Sequence, residues 1–538
     1  MSGRAGHGAP ATPPPRPRHR AGGGRSLLRG FAPVAASLAG GLCVAASLPP
    51  TGAFELAPVG IALVAHSCAG RPALRRLAHG LAAGAAQFAL GLCWALSFTA
   101  VGYVALVVVE AAFVAVACAL SPRGRGRVVG LAGALVIAEW ARSSWPFGGL
   151  PLGGVPIGQA DGPLLALARV GGPSLVAGAV ALAGTALAAG VPHVARAARH
   201  RTRSLLRPAA GPAAAIALVA LSAVVATHGP DGGSATGSVL VAAVQGGGRR
   251  GLPEIDVPAA QVLDAQLAET ARVPPGPSLV VWPEDAVSLA GPIGGSPESR
   301  ILGSVARRLH TTLLAGVTEP AGPLHFRNEV VAWSPSGRIT GSFEKVHPVP
   351  FGEYVPFRAE ISHLVSLAAV PRDAVFGHGS GELTTRAAHL AVLISYETFF
   401  TGRGRSGVRA GGELLVVATN TASYATSLVP AQELAASRIQ AVATGRDLVQ
   451  AATTGYSAVV SRHGRVLVRS QLGAPAVVRA RVPTYSGETL YDRFGDLPVL
   501  VLAAVAVAVG WALEERPGRA RNLLRRSARG SASRTGPC

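Results

Sequence analysis

Three strand ends in this chain carry side chains able to do covalent chemistry. In "SLVVWPEDAV" an apolar run delivers Glu284. In "GSFEKVHPVPFGEYVPF" a second run delivers Lys345 and then Glu353, and in "HLAVLISYETFF" a third leads into Ser395, Tyr396 and Glu397. A carboxylate, an ammonium and a nucleophile at strand ends suit acyl transfer. The base takes a proton, the cation stabilises the tetrahedral oxyanion, and the nucleophile holds the acyl group. Lys345 stands out on type alone, as the one lysine among 49 Lys and Arg residues. Arginine serves wherever a generic positive charge suffices, so the lone lysine implies a need for a compact ammonium. Each residue also has a plain reading. Glu284, after a proline, can open a turn, Ser395 can begin one, and of Glu344, Glu353 and Glu397 one is expected to be an ordinary surface carboxylate.

Other chemistries fit less well. Ser395 lacks the G-x-S-x-G elbow of an α/β-hydrolase. His347 follows Lys345 closely, but no spacing argues for it as a base to Ser395. His310, His325, His347, His378 and His389 have no metal-ligand spacing, so no metal site is expected. "GHGSGE" is glycine-rich without the lysine of a phosphate loop and reads as a turn. No cysteine falls within 229–496, which excludes a disulfide, a thiolate metal site and a cysteine nucleophile there.

The elements that must position these residues are short and β-rich. Strands are expected over 238–244, 278–282, 312–317, 329–333, 339–344, 390–394, 414–419, 457–461 and 466–469, with helices over 258–271, 299–309 and 431–444. The segment 229–496 therefore reads as an α/β layered domain. The rest of the 538 residues differ in kind, with 49% of the whole chain hydrophobic. Apolar stretches run over 31–48, 54–68, 81–98, 101–120, 128–141, 170–190, 213–227 and 497–513, the second, fifth and seventh being short. The expected organisation is a basic disordered tail over 1–29, a seven-span region over 30–228, the domain at 229–496, a last span at 497–513 and a basic tail over 514–538.

Arginine placement orients the chain. Arginines crowd the first tail (Arg16, Arg18, Arg20, Arg25, Arg29), the second connection (Arg71, Arg75, Arg76), the fourth (Arg123, Arg125, Arg127), the sixth (Arg196, Arg199, Arg201, Arg203, Arg207) and the C-terminal tail. Cytoplasmic loops collect such charge, so both tails are expected in the cytoplasm and 229–496 outside. The net charge of +21 resides in those loops and tails, since 229–496 carries 23 basic and 22 acidic side chains. That distribution argues for lipid headgroups and against nucleic acid as partner.

With these residues in place, the chain resembles the apolipoprotein N-acyltransferases of bacteria, membrane enzymes with a nitrilase-like domain. "ALVIAEWARSSWPFGGLP" looks like the family's fifth-span motif, "VVWPEDA" its glutamate motif, and "EKVHPVPFGEYVPF" its lysine motif; "ASRIQAVATGRDLVQAATTGYSAVV" resembles the stretch after the active site. The resemblance implies a multi-span protein of the bacterial plasma membrane with an extracytoplasmic αββα nitrilase-like sandwich. It also implies ping-pong transfer of a phospholipid acyl chain to the α-amine of a diacylglyceryl-cysteine at an apolipoprotein's N-terminus, by a monomer without cofactor. Carried across by motif, Glu284 is the general base, Lys345 the oxyanion cation and Glu353 a supporting carboxylate, with Tyr396 and Glu397 matching the residues after the nucleophile. Ser395 stands where the family has its cysteine, and "TNTASYAT" departs from an aromatic-richer family stretch. A serine hydroxyl needs a well-placed base that a thiol does not, so slow transfer is one expectation. A non-catalytic paralogue that binds lipid or lipoprotein is another, and a membrane-tethered amidase a third.

Overall fold

A computed structural model of the chain describes residues 23–200, 209–250, 257–363, 367, 370–424 and 428–531. Residues 1–22 of the expected basic tail, Arg201, Arg203 and Arg207 of the sixth connection, and the tail from 532 onward lie outside the described residues.

Seven helices precede the α/β region: α1 Gly23–Ser47, α2 Leu56–Cys68, α3 Ala73–Gly91, α4 Ala100–Leu120, α5 Arg127–Arg142, α6 Ala168–His200 and α7 Ala210–Thr227. They occupy the seven apolar stretches, with shifted bounds. The chain is already helical from Gly23, inside the expected tail, although Gly23, Gly24 and Gly30 give this flank low helix propensity. The third helix starts at Ala73, not at 81, and ends at Gly91 in place of 98. Its early start includes Arg76, which is buried because its guanidinium caps α4, Nε donating to Cys118 O at 3.0 Å and Nη2 to Ala119 O at 2.6 Å. An arginine spent on helix carbonyls is invisible to a hydropathy count. Among the described residues four helical segments are long and apolar enough to cross a membrane: Ala100–Leu120, Pro163–Arg199, Ala210–Thr227 and Leu497–Glu514.

Close approach of helix backbones holds this bundle. A Cβ on Gly60 would lie 2.4 Å from Gly40 O, and one on Gly40 would lie 2.7 Å from Gly60 O, so α1 and α2 touch where neither can carry a side chain.

The α/β region contains strands β1 Ala235–Gln245, β2 Leu279–Val281, β3 Val287–Ser288, β4 Thr312–Pro320, β5 His325–Trp333, β6 Ile339–Glu344, β7 Asp373–Ala374, β8 Glu382–Thr384, β9 His389–Ile394, β10 Leu414–Thr419, β11 Leu448–Ala452, β12 Ala458–Val460, β13 Val466–Arg469 and β14 Ala476–Tyr485. Its helices are α8 Ala259–Thr270, α9 Pro297–Leu309, α10 Arg358–Ser362, α11 Thr401–Arg409, α12 Leu428–Thr444 and α13 Leu490–Phe494. The last helix, α14 Leu497–Ser531, continues well past the expected end at 513.

One sheet runs β14-β1-β2-β4-β5-β6, with β3 on β4 and β7 on β5; the other runs β13-β12-β11-β10-β9-β8. Their inner faces meet in one core, where Val241, Leu279, Leu314 and Val330 of the first sheet pack with Val392, Ile394, Val416 and Val449 of the second. The outer face of the first sheet packs Trp282, Leu313 and Trp333 against Leu302, Val305 and Leu309 of α9. The outer face of the second packs Leu393, Leu415 and Val417 against Val408 of α11 and Leu434 and Ala441 of α12. The layering is therefore αββα, as the resemblance implies. A further core joins this sandwich to the helical region, bringing Leu48, Phe88, Leu92 and Leu152 against Tyr396, Phe399, Val429, Ile439 and Tyr491. Gln432 of α12 pins the junction, accepting from the Gly153 N–H at 2.9 Å and donating to Gly91 O at 3.0 Å.

The glycine contact yields a paired expectation. Gly60→Val should destabilise the protein by about 1–3 kcal/mol through overpacking. Gly211→Ala, at a helical site with nothing within 4 Å, should leave the melting temperature unchanged or slightly raised. Thermal unfolding in detergent distinguishes the two, and equal melting temperatures would mean that α1 and α2 do not meet through these glycines.

Candidate active site

The site forms where strand ends of both sheets converge. β2 lies between β1 and β4 and ends just before Glu284, which is buried. Gly316 of β4 makes room, since a Cβ there would lie 2.4 Å from Pro283 O and 2.5 Å from Glu284 Cα. Glu284 Oε1 accepts from Lys345 Nζ at 2.7 Å and from Asn328 Nδ2 at 2.8 Å; Oε2 accepts from the Asn420 N–H at 3.0 Å. Lys345 follows β6 directly and is 1% exposed. Its backbone N–H donates to Asn328 O at 2.8 Å, and its ammonium reaches Glu353 Oε2 at 2.8 Å. Glu353 is held in turn by Asn328 Nδ2 at 2.8 Å and by the Val349 N–H at 2.6 Å. One ammonium thus sits between two carboxylates, with the amide of Asn328 bridging both.

Burial is the largest influence at Glu284 and lifts its carboxyl to about 7 against the attraction of Lys345. Burial alone would lower Lys345, but Glu284 and Glu353 overcome it and hold the ammonium above its ordinary range. The two shifts oppose each other, because Lys345 gains from ionised neighbours that burial tends to neutralise. With two carboxylates facing one ammonium, Lys345 stays charged, while burial pushes the Glu284 carboxyl up toward neutrality.

Ser395 opens a 3₁₀ turn over Ser395–Phe399 at the end of β9, with φ of 49°. A non-glycine residue in the left-handed region costs about 1–3 kcal/mol and persists only where its surroundings impose it. Those surroundings are Glu397 and β10. Glu397 is fully buried; Oε2 accepts from the Ile394 N–H at 2.9 Å, and Oε1 from the Val346 and His347 N–H groups at 2.9 and 3.2 Å. The turn is thereby fastened to the loop that begins with Lys345. Parallel pairing of β9 with β10 sets Ile394 opposite Ala418, so Ser395 borders Thr419 and Asn420, and the Asn420 N–H binds Glu284. Among the described residues the Ser395 hydroxyl makes no hydrogen bond. Tyr396 is directed elsewhere, its hydroxyl donating to Gly149 O of the helical region at 2.7 Å. Glu344 is the most exposed of the three considered, though half-buried, and pairs with Arg327 at 3.3 Å.

His347 is not a partner of Ser395. Its ring stacks on Phe400 with centroids 4.7 Å apart, and burial, with Arg403 nearby, lowers it to about 4, so it is neutral. In the "TNTASYAT" stretch, whose residues 425 and 426 lie outside the described set, Tyr424 supplies an aromatic contact after all, packing on Trp94 at 5.2 Å and Phe98 at 5.7 Å.

Several site residues had not been singled out. Asn328 lies one residue before the expected strand at 329–333, between Arg327 and Glu329, where residue type gives it no distinction. Asn420 acts through its backbone, which no residue type reveals. Glu433, within α12, is buried, accepts from Thr419 Oγ1 through Oε1 at 2.5 Å, and leaves Oε2 without a partner. Burial raises it to about 8.

Comparison with known proteins finds relatives for both parts of the chain. Residues 40–186 match the family model for the apolipoprotein N-acyltransferase N-terminal domain, and residues 240–489 that for carbon-nitrogen hydrolases. An apolipoprotein N-acyltransferase of Azotobacter vinelandii is 31% identical over 374 residues, covering 66% of this chain and 67% of that protein. The chain belongs to the apolipoprotein N-acyltransferase family. The family member from Mycolicibacterium smegmatis is 30% identical over 393 residues, 69% of this chain and 66% of its own length. That from Geobacter metallireducens is 34% identical over 238 residues, 44% and 46% respectively. The chain thus spans between about half and two thirds of the curated relatives it matches. Among solved structures, an amidase from Nesterenkonia sp. aligns over 49% of this chain and 98% of its own at 20% identity, with a TM-score of 0.34.

Glu433 gives a pH expectation. Its folded carboxyl, at about 8, holds a proton that the unfolded chain releases near 4.5. Stability from this group is therefore intact below about 4.5 and declines as pH rises toward about 8. Glu433→Gln keeps an acceptor for Thr419 and removes the titration. Melting temperatures from pH 5 to 9 should fall more steeply for wild type than for Glu433→Gln, and parallel curves would mean that Glu433 is ionised when folded.

Proposed function

We propose that the chain crosses the membrane eight times with both tails cytoplasmic, and that 229–496 is its extracytoplasmic catalytic domain. Residues 30–228 and 497–513 form the spans, and 514–538 is a cytoplasmic tail. The monomer moves a phospholipid acyl chain onto the N-terminal amine of a diacylglyceryl-cysteine through an ester on Ser395. The observation that carries this reading is the buried Lys345 ammonium between Glu284 and Glu353, beside the left-handed backbone of Ser395.

In the first half-reaction Ser395 Oγ attacks the ester carbonyl of the lipid while Glu284 takes the hydroxyl proton. Lys345 stabilises the oxyanion of the tetrahedral intermediate. The intermediate collapses by expelling the lysolipid alkoxide, which leaves with the proton from Glu284, and the acyl group stays on Ser395. In the second half the amine attacks that ester, Glu284 removes its proton, and Ser395 leaves reprotonated. Glu353 and Asn328 keep Lys345 and Glu284 in register, while Glu397 holds the Ser395 turn. Lipid access is supported by exposed aromatic side chains on both sides of the junction: Phe147 packs on Phe351 and Phe357, each with centroids 5.9 Å apart, and Phe357 is 68% exposed.

A second reading, a non-catalytic paralogue that binds lipid or lipoprotein, is favoured by one observation. The Ser395 hydroxyl engages no base among the described residues, and a serine depends on one for roughly 10²–10⁴ in rate.

The two readings separate by mass spectrometry of a diacylglyceryl lipopeptide incubated with phospholipid and purified protein. Transfer by wild type should vanish in Ser395→Ala, rise well above wild type in Ser395→Cys, and fall nearly as far in Lys345→Arg as in Lys345→Ala. Transfer by Ser395→Cys with none by wild type would favour the binding paralogue, and equal transfer by wild type and Ser395→Ala would remove Ser395 from the mechanism. For topology, a phosphatase fused near Ser380 should be active and one fused near Arg201 inactive. The opposite pattern would invert the orientation.

A further inference from the structure

The second half-reaction leaves one proton without a destination. An α-amine with a pKa of about 7.7–8.0 reaches the site mostly as an ammonium at neutral pH, whereas only the free base attacks an ester. Glu284 takes the proton lost on attack and hands it to Ser395 as that oxygen leaves. It cannot also take the proton that must depart first, so a second acceptor is needed, close to Glu284 and open to the substrate.

Asp285 has both properties. It follows Glu284 directly and is half-buried, with a left-handed backbone of φ 55°. Oδ1 accepts from Thr318 Oγ1 of β4 at 2.5 Å, which fixes the carboxylate. Oδ2 has one partner among the described residues, Asn420 Nδ2 at the long distance of 3.5 Å. Asn420 gives its backbone N–H to Glu284 Oε2 and borders Ser395 through the β9–β10 register, so one residue touches both carboxylates beside the nucleophile. The neighbouring acids are committed elsewhere. Glu353 is held by Lys345, Asn328 and the Val349 N–H, Glu397 by three backbone N–H groups, and Glu433 is 1% exposed.

Charge points the same way. Glu284, Asp285 and Glu353 share one ammonium, and both Glu353 and Lys345 lie close enough to act on Asp285. A second cation would balance this set. Burial outweighs the Thr318 hydrogen bond and lifts the Asp285 carboxyl above its ordinary range, toward that of an amine. Building on the acyl-transfer reading, on which this assignment rests, we infer that Asp285 binds the α-ammonium of the acceptor and takes its first proton. One N–H bond of the ammonium breaks with its electron pair staying on nitrogen, and an O–H bond forms at Asp285 Oδ2. Asp285 is partly open to solvent and returns that proton to water. The freed amine then attacks the Ser395 ester with Glu284 as base.

The test measures binding of a diacylglyceryl lipopeptide with a free N-terminus, and of the same lipopeptide N-acetylated, to the full chain in detergent micelles. Ser395→Ala serves as the parent, since it forms no ester and reports binding without turnover. Near neutral pH the free amine should bind about tenfold more tightly than the acetylated form, the scale of a charge-assisted contact. At about pH 9 the amine is uncharged, and most of that preference should disappear. Asp285→Asn in the same background should remove the preference near neutrality. Asparagine is close in shape to aspartate and tolerates a left-handed φ, so the turn is kept. Equal binding of the two lipopeptides by the parent would overturn the inference, and so would a preference that survives Asp285→Asn. With Ser395 present, Asp285→Asn should slow transfer to the lipopeptide amine more than transfer to hydroxylamine, which is uncharged at neutral pH. Absence of any transfer by wild type would count against the acyl-transfer reading, while the binding preference would still decide whether Asp285 holds the ammonium.

Discussion

The site depends on keeping one ammonium out of water. Lys345 is 1% exposed, and a lone buried charge would cost several kcal/mol or lose its proton. Glu284 and Glu353 prevent that, and much of the local architecture exists to keep those carboxylates in place. Asn328 reaches both, Asn420 offers its backbone to one, Val349 its backbone to the other, and Gly316 clears the space Glu284 needs. Removing Lys345 would strand two buried carboxylates, and removing either carboxylate would leave the ammonium with one counter-ion, so these three charges are energetically inseparable.

From that cluster the structure extends outward in fastened steps. Glu397 ties the Ser395 turn to the lysine loop, and Tyr396 ties the same turn to Gly149 in the helical region. Gln432 then locks α12 onto Gly91 and Gly153. The Ser395 turn is thus held from both sides of the junction, and its left-handed serine is the local strain that this network sustains.

What could be read in advance followed from residue type and pattern. The strand ends before Glu284, Lys345 and Ser395 were legible because unbroken apolar runs stop at polar residues, and the single lysine announced itself by rarity. The layered fold followed from the same runs, while the eight helices were located from their apolar content with ends displaced where charged residues continue a helix. Other elements gave no such sign. β11 is "LVQAA", with weak strand propensity, and is held by parallel pairing to β10 and by Gln450 bonded to Ser437 and Tyr456. β14 contains Pro483, which a sheet tolerates at the edge position β14 occupies. Glu433 looked like any helical glutamate, because only packing against Thr419 makes it a buried acid.

One feature of composition alters the chemical vulnerability of the whole domain. The described cysteines, Cys43, Cys68, Cys93 and Cys118, all belong to the helical region, and 229–496 has none. A thiolate at position 395 would be open to peroxide, passing through sulfenic acid to forms that no longer attack a carbonyl, and to alkylation by haloacetamides. An alcohol is inert to both. Serine at this strand end has less intrinsic nucleophilicity than cysteine and is indifferent to oxidants and thiol poisons, so under the proposed mechanism a slower nucleophile would go with a site that peroxide and alkylating agents leave intact.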